Sequence, residues 1–92
     1  MTALEDIRHK IDRLDDEIIT LLKKRLEQVL LTLKEKEKIE DLGREDQIIS
    51  KLVGRSEDNE TEKYLTEIYQ TIFREGKRIQ KHLKENEINE KI

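Results

Sequence analysis

The chain has 92 residues, of which 45% are charged and 3% aromatic, and it contains no proline, cysteine or tryptophan. The absence of cysteine excludes disulfides and thiolate metal sites, and three glycines without proline leave helices little to interrupt them, so one all-α domain is expected over residues 1–92. A net charge of −3 lacks the basic excess that phosphate contacts give a nucleic-acid binder, and the N-terminus lacks the apolar run of a signal peptide or membrane span. A soluble cytoplasmic protein with no nucleic-acid or membrane partner is the expectation.

Thr2-Ala3-Leu4-Glu5 has the capping-box spacing, in which a hydroxyl and a carboxylate three residues on satisfy the free amides of a helix start. Leu4, Ile7, Ile11, Leu14, Ile18 and Leu21 then recur at three and four residues. The seam continues less regularly through Val29 and Leu33, which predicts a long first helix over about residues 3–38. Asp41 is a good N-cap for a short second helix over about 42–53, with Ile48, Ile49, Leu52 and Val53 on its buried side and Gly54 placed to end it. After a turn at "RSEDN", Asn59 with Glu62 gives a further capping-box-like start. Leu65, Ile68, Ile72, Ile79 and Leu83 make the seam of a third helix over about 60–85, and the tail "KENEINEKI" is expected to fray.

Length turns this pattern into a statement about assembly. A helix over residues 3–38 would be roughly 54 Å long at 1.5 Å per residue. A compact monomer of this size has a diameter near about 30 Å. The first helix therefore outruns the cover its own chain can supply, and an intertwined homodimer of three-helix chains is expected.

The apolar seams carry polar interruptions. Position 25 continues the spacing 11, 14, 18, 21, yet it is Arg25. At 100° per residue, Lys36 points within about 20° of Arg25, whereas Arg8 lies about 25 Å from Arg25 along the axis and points about 100° away. Arg8 and Arg25 can share a site only across an antiparallel dimer. Taken alone, the same spacing also suits a snorkelling arginine and a surface lysine. In the third helix, Gly76 costs about 1 kcal/mol relative to alanine, and Gln80 follows one turn later on nearly the same face. Close backbone approach accounts for the glycine, and an exposed Gln80 beside tight packing is the plain alternative. In "DLGREDQ", Asp41, Arg44, Glu45 and Asp46 bring both signs of charge to a helix start, which suits either a polar cap or one wall of a site for a small charged ligand.

Taken in order, "IRHKIDRLDDEIITLLKKR", Lys36, "DLGRED" and "IYQTIFREGKRIQ" resemble the all-helical, AroQ-class chorismate mutases over about residues 4–84. Arg8 falls on the N-terminal arginine of the family's R-x-x-I-D-x-x-D pattern, Arg25 on its mid-helix arginine and Lys36 on its lysine. Asp41, Arg44 and Glu45 fall on the D-x-x-R-E element, Gln80 on the third-helix glutamine, and Gly76 on a position that is often serine. Two departures stand out. The connection from Lys36 to Asp41 is shorter than in the best-known members, and Gly76 has no hydroxyl.

The resemblance implies a Claisen rearrangement of chorismate to prephenate, the step that leads toward phenylalanine and tyrosine. That reaction breaks a C–O bond and forms a C–C bond in one pericyclic step, with no cofactor, metal, nucleophile or proton transfer. It also implies that Arg25, and Arg8 of the other chain, hold the two carboxylates, with Arg44 in support. Lys36 and Gln80 would donate to the ether oxygen, where negative charge develops. Glu45, beside Asp41, would accept from the ring hydroxyl. An isochorismate pyruvate lyase of the same fold family and a non-catalytic helical scaffold dimer are the alternatives; Glu45 favours chorismate over the first, and the interrupted seam at Arg25 with the buried-looking Gly76 and Gln80 counts against the second. Asp6 with His9 has helical metal-ligand spacing, but a pair without partners is no metal site.

Overall fold

The capping box at Thr2 starts α1 (Ala3–Leu31). In this computed structural model, which describes residues 2–35 and 41–91 with side chains up to residue 86, the Thr2 hydroxyl accepts from the Glu5 N–H at 3.1 Å. The Glu5 carboxylate accepts in return from the Thr2 N–H at 3.4 Å. Glu5 and Asp6 in the first turn also place negative charge at the positive end of the helix dipole.

The first α-helix stops earlier than its apolar pattern suggests. A 3-10 turn over Thr32–Lys34 follows Leu31 directly, in place of continuous α-helix to residue 38. Thr32 gives the local reason. Its hydroxyl donates to the Val29 carbonyl at 2.6 Å, and its N–H is shared among the carbonyls of Gln28, Val29 and Leu30, which tightens the last turn. The remainder of the expected first helix, residues 36–38, lies outside the described residues.

The chain divides into two units, residues 1–32 and 33–92. In the first, the apolar face of α1 is uncovered. Leu4, Ile7, Ile11, Leu14, Ile18 and Leu21 are all about half exposed or more, from 49% at Ile11 to 62% at Leu21.

The second unit is a helical pair. Asp41 opens α2 (Leu42–Arg55), its Oδ1 accepting from the Arg44 N–H at 3.0 Å and its carbonyl from the Glu45 N–H at 3.1 Å. Gly54 does not end this helix. It carries no positive φ, and the helix runs on to Arg55 before Ser56 turns extended, its hydroxyl donating to the Leu52 carbonyl at 2.8 Å. The third helix, α3 (Asn59–Lys91), is capped one residue earlier than Asn59. Asp58 accepts from the Thr61 N–H at 2.7 Å through Oδ1 and from the Glu62 N–H at 3.1 Å through its carbonyl. At its other end α3 continues through the expected frayed tail to Lys91.

Helices α2 and α3 pack on each other, and Leu52 on α2 and Phe73 on α3 are the two buried hydrophobic residues among those described. Tyr69 meets Phe73 edge-on, with ring centroids 5.9 Å apart. Ile48 and Ile49 are half-buried beside Leu52, while Val53 is exposed. No helix among the described residues is long and apolar enough to cross a membrane.

Candidate functional site

The polar residues of the second unit converge where the first turn of α2 faces the second half of α3. Asp41 is spent as the cap, and by fixing the first turn it presents Arg44 and Glu45 from successive positions. Arg44 is exposed, and its Nη1 donates to the Gln47 side-chain oxygen at 3.4 Å. It belongs to the border of an open groove between α2 and α3 where Lys51 and Arg55 add two further cations at helical spacing. That border favours anions.

Glu45 is held differently. Its side chain is only 18% exposed, and Oε1 accepts from Lys77 Nζ at 3.3 Å, an ion pair that joins α2 to α3. Oε2 is buried and has no hydrogen-bond partner among the described residues. Lys77 did not figure in the sequence reading. Its signal was present, since it lies beside Gly76 and one turn before Gln80 on a helix whose buried face includes both.

Gln80 is the most buried polar side chain among those described, at 2% exposure. The plain alternative of an exposed glutamine is therefore excluded. Gln80 takes up the buried stripe of α3 that runs through Leu65, Tyr69, Phe73 and Gly76, so an amide occupies a place where the period asks for a hydrocarbon. Gly76 is half-buried in that stripe. The interruption by polar groups is where local pattern and packing disagree, and such disagreements concentrate at functional positions.

The structure thus brings Asp41, Arg44, Glu45, Gly76 and Gln80 into one helical pair. Arg8 and Arg25 lie on α1, Arg8 exposed and Arg25 half-buried. They stand seventeen positions apart on continuous helix, about 25 Å along the axis, so they cannot meet in one chain's site. Lys36 lies outside the described residues. His9 and His82 are exposed, and no cluster of three or more His, Asp or Glu side chains with metal-ligand geometry occurs among the described residues.

No curated protein and no solved structure matches the chain. A family model does, over most of its length and across both arginines of α1, the start of α2 and the Gly76–Gln80 stretch. With residues 7–81 matching the model described as chorismate mutase type II, the chain belongs to that all-helical family.

Proposed function

We propose that the chain acts as a chorismate mutase, converting chorismate to prephenate by electrostatic preorganisation, without covalent intermediate or cofactor. The observation that carries this reading is the pairing of α2 and α3 in a member of the family: α2 carries a carboxylate with one buried oxygen unsatisfied among the described residues, and α3 carries a fully buried amide. A chain that packed only for stability would place hydrocarbon at both positions.

The chemistry needs little more than holding and fixed charge. Chorismate is a dianion that reacts through a compact chair, so its two carboxylates must be gripped at a set separation, which suits guanidinium forks. Arg25 takes one carboxylate and Arg8 of a second chain the other, with Arg44 in support and Asp41 fixing the turn that carries it. As the C–O bond breaks, negative charge gathers on the ether oxygen. Lys36 and Gln80 donate there, and one such donor is typically worth about 3–4 kcal/mol in the transition state. Glu45 accepts from the ring hydroxyl, and the backbone at Gly76 lets the substrate approach α3 closely.

A second copy of the chain completes the site. The separation of Arg8 from Arg25 along α1 supports this, as does the uncovered apolar face of the same helix, which a second α1 would bury. The homodimer is intertwined, with each site built from both chains.

A cofactor-free assay of the purified protein tests the reading, following chorismate loss by ultraviolet absorbance and identifying the product, with isochorismate run in parallel. Prephenate formation that falls at least about a hundredfold in Lys36→Ala is the expected result. Pyruvate from isochorismate without prephenate would instead make the protein a lyase, and a folded dimer that turns over neither substrate would leave only a scaffold. Mixing Arg8→Ala and Arg25→Ala chains tests the shared site. If the chains exchange and activity does not return, each site belongs to one chain.

A further inference from the structure

Glu45 presents its two oxygens to different surroundings. Oε1 is paired with Lys77 Nζ at 3.3 Å across the α2–α3 interface, while Oε2 is buried and has no partner among the described residues. A buried acceptor without a donor is costly, and native structures keep one mainly where a ligand or a reaction supplies the missing group. The ring hydroxyl of the proposed substrate is such a donor. The same substrate, however, carries two negative charges, and an uncompensated carboxylate in a site shielded from water would repel it.

Lys77 resolves that conflict. Its ammonium makes the pair neutral, so Glu45 can accept a hydrogen bond without adding net negative charge to the site. By occupying Oε1 it also restrains rotation of the carboxylate and leaves Oε2 as the acceptor. Its side chain is only 32% exposed, and its partner lies 32 positions earlier in the chain, so the pair also ties the first turn of α2 to α3.

We infer that Lys77 is a positioning residue for the substrate hydroxyl: it orients the Glu45 carboxylate and neutralises it toward a dianion. The inference rests on the mutase reading and deepens it. Lys77 touches no substrate atom. Its effect passes through Glu45 and should appear in substrate affinity more than in the rate of bond rearrangement.

The test is a double-mutant cycle on the full chain. Lys77→Met and Lys77→Arg are made alone and in a Glu45→Gln background, with kcat and KM for chorismate and thermal unfolding measured for each. Loss of a charge-assisted contact predicts that Lys77→Met raises KM about tenfold or more while kcat falls by less. Lys77→Arg should stay within about threefold of the unmodified protein, because the charge is kept. In the Glu45→Gln background Lys77→Met should add less than about twofold, since no carboxylate is left to neutralise. Should Lys77→Met fold poorly, Lys77→Gln keeps polar length without charge and must also raise KM.

A merely structural lysine would lower the unfolding temperature and leave the KM of the folded protein unchanged, or would give the same effect whether residue 45 is Glu or Gln. Either result overturns the inference while the mutase reading stands. An unmodified protein that forms no prephenate overturns that reading, and the inference with it.

Discussion

Replacing Gln80 by leucine separates catalysis from packing. Gln80 is 2% exposed, so its amide is fully withdrawn from water, and leucine of similar volume leaves no cavity. Removing a buried amide recovers about 1–3 kcal/mol of desolvation, against roughly 1 kcal/mol for the hydrogen bonding given up. The net effect on stability is small, from about zero to about 2 kcal/mol in favour of leucine, or at most several degrees in Tm for a chain of this size. Turnover behaves differently. A lost donor to a developing oxyanion costs about 10²–10³ in kcat. Gln80→Leu should therefore give a folded protein with about a hundredfold lower kcat, measured by chorismate consumption beside a thermal melt. A variant with kcat within about threefold of the unmodified protein would refute the role of Gln80 as a donor. Gln80→Glu sharpens the test. Burial raises the pKa of a carboxyl group, and only the protonated acid can donate. The variant should thus lose activity as pH rises through that raised value, while the unmodified protein, whose amide does not titrate, stays flat from about pH 6 to 8.

Three further outcomes follow from the helical pair and its ends. Phe73→Ala should destabilise by about 3–5 kcal/mol in denaturant unfolding, because Phe73 is buried and edge-on to Tyr69; a loss under about 1 kcal/mol would mean that Phe73 is not part of the core of the pair. Gly54→Ala should raise stability by about 0.5–1 kcal/mol, seen as a few degrees in Tm. Its φ is already helical and a methyl there meets nothing within 4 Å, so a fall in Tm would contradict the open surroundings. The Thr61 backbone N–H, and then its side chain, hold the Asp58 carboxyl below its ordinary value. A depressed pKa stabilises above the unfolded value and is lost as pH falls through the folded one. Asp58→Ala should therefore lower Tm at neutral pH, and its difference from the unmodified protein should shrink below about pH 4; a gap that widens on acidification would reverse the sign of this argument.

Much of the fold was legible because local chemistry decides it. The Thr2–Glu5 capping box, the Asp41 cap and the three- and four-residue apolar repeats act within a turn or two, and the helices begin where those signals stand. Their ends were less legible. Gly54 was expected to stop α2, yet no positive φ is needed there and Ser56 does the work; Thr32 tightens α1 into a 3-10 turn that apolar spacing does not register. Asp58 rather than Asn59 caps α3, since both are good caps and only the loop geometry chooses between them.

The candidate site divides in the same way. The sequence alone determined the helical class, the family and the arginine that breaks the first seam, Arg25, because those are properties of order and spacing; the buried stripe of α3 runs through Leu65, Tyr69, Phe73, Gly76 and Gln80 rather than along the expected seam, whose Ile68 and Leu83 are exposed. Only the tertiary structure decided that Gln80 is buried and that Glu45 is held by Lys77 with its second oxygen unpartnered among the described residues. Residues 45 and 77 are 32 apart, and no periodicity within one helix can pair side chains at that distance. Packing of α2 on α3 does, through the burial of Leu52 and Phe73.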